Sequence, residues 1–202
     1  MGICLKFLLA GCLILIVGVL SVFAQTNAGN ISLVTKEISL GKVPVMANLE
    51  AMVISPDKRH VAYPVMRGGK WTLFHDGKEG PKYDRVSEQD CIRFSPDSQR
   101  LAYAARRGDK WLAVVDGKED PEFDDIAKNF PLFSPNSRRV AYIAKSGKEW
   151  IIVVDGKEVS SYVPIGAPLF ESPNKIAIVA GRLDESFNNE VVRLEIEIVG
   201  KP

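Results

Sequence analysis

The sequence has little cysteine and little histidine, and neither sign of charge is in excess. Of 202 residues, three are cysteine and two are histidine, and 26 Lys and Arg nearly balance 25 Asp and Glu, for a net charge of +1. Nucleic-acid binders usually carry surplus cations that displace the counterions on phosphates, so this balance argues against a nucleic-acid partner. A composition that is 46% hydrophobic and 25% charged also excludes a disordered chain.

Cysteine is scarcer still in the part of the chain that is expected to fold. Cys4 and Cys12 fall inside an N-terminal apolar segment, which leaves Cys91 alone and excludes an internal disulfide. The apolar, strand-like context of Cys91 predicts a buried, inert thiol. The remaining candidate ligands, His60 and His75, show no metal-ligand spacing. Each is therefore expected to be an exposed or half-buried strand residue, and no metal site or cofactor is predicted.

The first 24 residues predict a cleaved export signal. Lys6 precedes the apolar run Phe7–Phe23, and cleavage is expected between Ala24 and Gln25. A retained membrane anchor is one alternative, since the run approaches the ~20 residues needed to span a bilayer. A lipoprotein is another, because Leu9–Cys12 resembles a lipobox, although the apolar run continues beyond it. The protein is expected to be periplasmic or extracellular, or to touch the membrane only through this segment.

The rest of the chain, residues 25–202, contains a repeat of about 39 residues. A Ser-Pro-Asp or Ser-Pro-Asn turn recurs four times, with prolines at 56, 96, 135 and 173. A tryptophan and an Asp-Gly-Lys-Glu sequence recur in register with the first three turns; the tryptophans are Trp71, Trp111 and Trp150. Between the turns lie short runs rich in β-branched and aromatic residues, about four per copy, which predict strands. Four strands in about 40 residues are typical of a β-propeller blade.

One copy of the repeat carries a family resemblance. The block Phe94-Ser-Pro-Asp-Ser-Gln-Arg-Leu-Ala-Tyr103 resembles the WD-like repeats of bacterial exported propellers, including the TolB-type and prolyl-oligopeptidase-type propellers. The resemblance covers about residues 50–180. It implies a fold and no particular activity, because such repeats form a scaffold on which different functions are built.

The copies predict a single all-β domain, a small propeller of about four four-stranded blades. Their expected spans are 47–86, 87–126, 127–163 and 164–202. The fourth copy ends where its outer strand should begin, and residues 31–46 are predicted to supply that strand and close the ring. Closure would remove two exposed sheet edges. The alternative is an open arc that pairs with a second copy, so a closed ring predicts a monomer and an open arc a homodimer.

Cations collect at the predicted hairpins between the second and third strands. In a propeller these hairpins share one face with the links between blades, so the cations predict a binding face for an anionic group such as a peptide carboxylate. The competing interpretation is a solvated tip with local ion pairs. The recurring tryptophans are interpreted as packing between sheets. The candidate binding residues are Arg67, Lys70, Arg106, Arg107, Lys110, Lys145, Lys148 and Arg182.

No nucleophile elbow or paired acid and base is evident, so no catalytic residue is predicted. The leading hypothesis is a non-enzymatic module that binds a protein or peptide partner in a bacterial envelope. One alternative is a glycan-active hydrolase or lyase that uses Glu88, Asp124 and Asp125 at the central mouth. A second alternative is a self-associating half-propeller.

Overall fold

The computed structural model describes residues 34–87, 91–159, 163–164, 166–182 and 190–200. The predicted export segment lies outside these residues, as do Cys4, Cys12 and Glu88. No helix among the described residues is both long and apolar enough to cross a membrane. All the sheets belong to a compact unit that begins at Leu40.

The described chain forms four antiparallel sheets in sequence order, which confirms the all-β prediction. The first contains β1 (Val53–Ile54), β2 (Val61–Arg67), β3 (Lys70–His75) and β4 (Lys78–Tyr83). The second contains β5 (Arg85–Val86), β6 (Ile92–Phe94), β7 (Leu101–Arg107), β8 (Lys110–Val115) and β9 (Lys118–Glu119). The third contains β10 (Asp125–Ile126), β11 (Leu132–Phe133), β12 (Val140–Ser146), β13 (Glu149–Val154) and β14 (Lys157–Val159). The fourth contains β15 (Val163–Pro164), β16 (Leu169–Ser172), β17 (Lys175–Arg182) and β18 (Glu190–Glu197).

The Asp-Gly dipeptides form the tight turns that join the third and fourth strands. Asp76 has φ 50° and Gly77 has φ 76°, and the corresponding pairs in the next two sheets have similar values. A type I′ turn needs positive φ at both central residues, and Asp and Gly are among the few residues that adopt it readily. The hairpin prediction is therefore confirmed in three sheets.

The first strand of each sheet is divided into two pieces. β5 and β6 both pair with β7, and the third and fourth sheets repeat this arrangement. β5 and β10 begin two residues before the expected copy boundaries at 87 and 127. In the first sheet the leading piece is a single bridge between Ala47 and Val65.

The N-terminal part of this unit lies against the first sheet. Residues 34–46 form no strand, and the backbone N–H of Met66 donates to the carbonyl of Met46. Ala47 and Met52 pack on the buried residues Tyr63, Val65 and Phe74. The expectation that residues 31–46 close the fourth sheet stays a prediction. In the structure, Met46 and Ala47 contact the first sheet, where Ala47 covers part of an apolar face.

The sheets pack face to face in chain order. Leu73 and Tyr83 of the first sheet share a buried cluster with Tyr103 and Val114 of the second. A second cluster joins the other three sheets; its members include Ala104, Ala113, Tyr142, Ile143, Ile152, Ile176 and Ile178. Alternation of side chains along each strand places one apolar set on each face, so every inner sheet is buried on both sides.

The far face of the fourth sheet differs from its counterparts. Val179 is 46% exposed, whereas Ala104 at the corresponding position of the second sheet is buried, and Val191 on the same face is 70% exposed. Nζ of Lys175 lies 2.7 Å from Glu195 on the same face. Among the described residues this face is exposed and partly charged.

Candidate functional site

The predicted cations lie where the sequence placed them, at the turns between the second and third strands. Arg67 ends β2 and Lys70 begins β3, and Arg107 and Lys110 hold the same places in the second sheet. We call this side of the stacked sheets the hairpin edge. The side chain of Arg182 lies outside the described residues.

The lysines of the hairpin edge form ion pairs that connect neighbouring sheets. Lys70 pairs with Asp84, whose second oxygen accepts a 2.8 Å hydrogen bond from the backbone N–H of Gly108 in the next hairpin. The hydrogen bond from Lys70 is the main reason that the pKa of Asp84 is lowered. The next copy repeats this arrangement with Lys110 and Asp124 (2.5 Å) and with Gly147 (2.6 Å). Both lysines are therefore neutralised by a junction carboxylate.

The arginines that end β2 and β7 are also paired. Arg67 lies 2.8 Å from Glu79. Arg107 lies 2.6 Å from Glu119, and its guanidinium stands 5.6 Å from the ring centroid of Tyr83. Four of the eight candidate cations thus have the local ion pairs of the competing interpretation, and their role in binding stays a prediction.

The remaining described candidates lie on the second and third sheets. Nζ of Lys145 is 6.0 Å from the ring centroid of Trp150, a cation–π distance. Nε of Arg106 is buried and has no hydrogen-bond partner among the described residues. Lys148 is exposed at a turn and forms no ion pair with any described residue. Lys145 also lies near enough to Asp124 to stabilise that carboxylate electrostatically, so its charge faces both the ring of Trp150 and Asp124.

The three tryptophans lie just after these hairpins, each at the second position of its strand, and they line a row of cavities. Trp111 and Trp150 line the same cavity of about 490 Å³. Trp71 lines a neighbouring cavity of about 290 Å³, and Trp150 also lines the next one, of about 310 Å³. Each tryptophan also packs against a buried cluster, as the sequence predicted. Packing between sheets therefore explains part of its contacts, and the cavity it lines is an additional feature.

Neighbouring cavities share wall residues and form one surface. Arg85 and Ser87 line both the first and the central cavity, and Ala127 and Lys128 line both the central and the last. We call these cavities, with their tryptophans, the tryptophan groove. Sequence reasoning missed it because the groove depends on how sheets meet. The available signal was an amphipathic indole placed directly after an exposed turn in three successive copies.

Cys91 and the predicted carboxylates contribute differently to the groove. Cys91 is half-buried and lines the central cavity, where the sequence predicted a buried thiol. Asp125 lines the same cavity, and one of its oxygens accepts a hydrogen bond from the backbone N–H of Ile126. Asp124 is held in its ion pair, its pKa lowered mainly by the hydrogen bond from Lys110. Of the proposed catalytic carboxylates that are described, only Asp125 faces a cavity.

A second group lies near the Asp-Gly turn of the first sheet. Nδ1 of His60 is 2.6 Å from Oδ2 of Asp76, and Nε2 of His75 is 3.6 Å from the same oxygen. Burial lowers the pKa of His75. Burial opposes ionisation of Asp76, but hydrogen bonds from His60 and from the backbone of Val61 leave its pKa below the usual value. Both histidines are half-buried, as expected, but the β2–β3 pairing brings them together, which their spacing in the sequence did not predict.

Four antiparallel sheets stacked in chain order define the class of this protein as a β-propeller. No protein-family model and no curated protein sequence matches the chain. Among solved structures, the chain is similar to TolB from Acinetobacter baumannii, with 11% identity and a TM-score of 0.42, over 90% of this chain and 49% of that one. The chain thus spans about half the length of that TolB.

Two further solved structures show a similarity of the same order. A protein assigned as TolB from Agrobacterium tumefaciens is 18% identical, with a TM-score of 0.39, over 75% of this chain and 67% of that one. A protein assigned as a 6-phosphogluconolactonase from Bacteroides uniformis is 14% identical, with a TM-score of 0.37, over 88% and 65%. At these values the functions of the three proteins are not transferred to this chain.

Proposed function

We propose that this protein is an exported, non-catalytic β-propeller module that binds an extended segment of a protein or peptide along the tryptophan groove. The observation that carries the proposal is the row of adjoining cavities, each lined by the tryptophan of a successive copy. The central cavity, about 490 Å³, lies within the range of ligand pockets, which combine an apolar lining with a few polar groups.

The groove also suggests the chemistry of the segment. Indole rings offer large amphipathic surfaces that suit apolar and aromatic side chains. Lys128 lines two of the cavities, and Lys145 stands over the ring of Trp150. A segment with spaced apolar side chains and neighbouring carboxylates would match both features.

Panning a random peptide display library against the full chain tests this function. We expect a family of apolar and acidic peptides whose binding is lost in Trp111→Leu. Lys118→Ala, at an Asp-Gly turn away from the groove, is the matched control and should bind like the native chain. Thermal melting of each variant confirms that the fold is intact. Enriched peptides that bind Trp111→Leu unchanged, or a purified chain that hydrolyses a polysaccharide, would contradict the proposal.

Export is supported by the apolar run Phe7–Phe23 and the cleavage pattern after it. N-terminal sequencing of the protein recovered from an envelope fraction should give Gln25 as the first residue. Recovery of the uncleaved chain from the membrane would favour the anchored alternative.

Self-association is the second candidate, favoured by the exposed far face of the fourth sheet. Val179 is exposed there, whereas its counterpart Ala104 in the second sheet is buried, and Val191 is exposed on the same face. Sedimentation of the full chain separates the two possibilities for this face. A dimer that Val191→Lys converts to a monomer would assign the face to a second copy.

A further inference from the structure

The two histidines of the chain occupy neighbouring places in the first sheet. His60 precedes β2 and His75 ends β3, and the pairing of His75 with Ala62 sets the two rings side by side, with centroids 6.0 Å apart. Asp76 follows directly. One potential ligand atom from each of the three residues lies within 4.8 Å of the other two.

The other sheets hold different residues at these positions. The second sheet has Arg100, Val115 and Asp116, and the third has Arg139, Val154 and Asp155. In those sheets the arginine pairs with the aspartate, at 2.8 Å and 2.7 Å. The fold therefore requires a cation beside the aspartate and an apolar residue at the end of the third strand. It does not require two imidazoles, yet both histidines of the chain are placed here.

Two imidazole nitrogens and a carboxylate oxygen are a donor set typical of zinc and related first-row metals. We propose that His60, His75 and Asp76 bind a divalent cation of this class, with Zn²⁺ as the best match. Three protein ligands leave a fourth position open to water or to a group from a partner. This site is separate from the tryptophan groove and does not depend on it.

The two ligand separations that involve Asp76 need little adjustment to accept the ion. Ligand atoms at ~2.1 Å from a tetrahedral zinc lie about 3.4 Å from one another. The separation between Nε2 of His75 and Oδ2 of Asp76 is 3.6 Å, which is close to this value. The 2.6 Å contact between His60 and Asp76 is a hydrogen bond. When the ion replaces that proton, the two atoms need to separate by roughly 0.8 Å.

The fold holds the carboxylate in place for this role. The second oxygen of Asp76 accepts a 2.9 Å hydrogen bond from the backbone N–H of Val61. The same bond recurs in the second sheet from Leu101 to Asp116. Hydrogen bonds from outside the ligand set commonly orient metal ligands in this way.

Solvent can reach the cluster. The side chains of His60, His75 and Asp76 are between about one third and one half exposed. His75 also lines a cavity of about 400 Å³ at the junction with the second sheet. The ring of Phe94, 5.5 Å from the ring of His75, supports the imidazole on one side.

The competing explanation is that His60 replaces an arginine as a simple partner of Asp76. That explanation leaves His75 only a packing contact with Phe94, whereas a metal site needs both histidines as ligands. Substitution of His75 therefore distinguishes the two.

Calorimetric titration of the full chain with Zn²⁺, purified without a polyhistidine tag, tests the site. We expect one ion per chain and a higher melting temperature in its presence. His60→Arg and His75→Val install the residues of the second and third sheets, so both should fold. Each should weaken Zn²⁺ binding by at least ~10–100-fold, the range seen when even supporting residues of metal sites are changed. Cys91→Ser is the matched control and should bind normally.

A gain-of-function variant completes the test. Arg100→His combined with Val115→His beside Asp116 should create a second site and raise the stoichiometry to two ions per chain. Equal Zn²⁺ binding by the native chain and His75→Val would overturn the proposal, as would binding that Cys91→Ser abolishes.

Discussion

The junctions between neighbouring sheets are of two kinds. The first and second junctions each contain a lysine–aspartate pair at the hairpin edge, Lys70 with Asp84 and Lys110 with Asp124. At the third junction the corresponding positions are Glu149 and Val163. Both members of the pair are thus replaced at the third junction, which indicates that the lysine and the aspartate are present in the first two junctions as an ion pair.

A second polar contact follows the same division. In the first two junctions a serine hydroxyl accepts the backbone N–H of the aspartate in the preceding Ser-Pro-Asp turn, Ser98 for Asp57 and Ser137 for Asp97. The fourth copy has Lys175 where these serines stand. The third junction contains buried apolar residues such as Ile143, Ile152 and Ile178. All three junctions thus have an apolar core, and the first two add polar contacts at the hairpin edge and at the Ser-Pro-Asp turns.

The third junction should therefore be the most sensitive to loss of apolar volume. Ile152 is fully buried, and among the described residues its junction has neither the lysine–aspartate pair nor the serine contact of the other two. We expect a loss of about 2–5 kcal/mol, measured by urea denaturation. A loss as small as that of an exposed alanine substitution, such as Lys157→Ala, would show that this junction does not depend on its apolar core.

The second junction should respond to the opposite change. Ala113 is fully buried in the same cluster as Tyr142, at the position that Ile152 holds in the next sheet. Ala113→Ile should overpack this junction and cost about 1–3 kcal/mol in urea denaturation. An Ala113→Ile chain as stable as the native one would mean that the small residue is not required beside the tyrosine.

The serine contacts should have a smaller effect. Ser137 is 2% exposed and its hydroxyl lies 3.0 Å from the backbone nitrogen of Asp97. Ser137→Ala should destabilise the fold by about 1 kcal/mol. Ser87→Ala, a buried serine away from this turn, is the matched control. Hydrogen exchange should speed up at Asp97 in the first variant alone, and unchanged exchange there would contradict the assigned contact.

The lysine–aspartate pairs should have the smallest effect, visible mainly in acid. The pKa of Asp124 is lowered, chiefly by the hydrogen bond from Lys110. Its contribution is therefore present above the ordinary carboxyl pKa of about 4 and is lost as the pH falls through the lowered value. Asp124→Asn should reduce the melting temperature at pH 7 slightly, and its difference from the native chain should disappear at about pH 2. Asp125 is not part of this ion pair, so the difference in melting temperature between Asp125→Asn and the native chain should not depend on pH in this way.

Local chemistry explains which features could be predicted from the sequence. The Asp-Gly turns depend on two adjacent residues, and the recurring turn formers divide the chain into strands, so a short window is sufficient. The contact between His60 and His75 depends on the register of β2 against β3, which residue spacing alone does not give. The tryptophan groove depends on how neighbouring sheets meet. From the sequence, Trp111 resembles a core residue; only the structure shows that it also lines the central cavity.

For a similar reason, the sequence alone does not identify the sheet that the N-terminal segment contacts. Its alternating pattern fits any exposed sheet edge, and Ala47 pairs with Val65 of the first sheet because Tyr63 and Phe74 leave an apolar face to be covered there. The pattern predicts a β-bridge but does not identify its partner.

Tryptophan emission tests the central claim most directly, because all three tryptophans of the chain line the groove. A peptide enriched by display should shift the emission of the native chain and protect it from quenching by iodide, with the same midpoint as binding measured by calorimetry. Saturating binding that leaves both the emission and the quenching unchanged would place the peptide elsewhere and contradict the account.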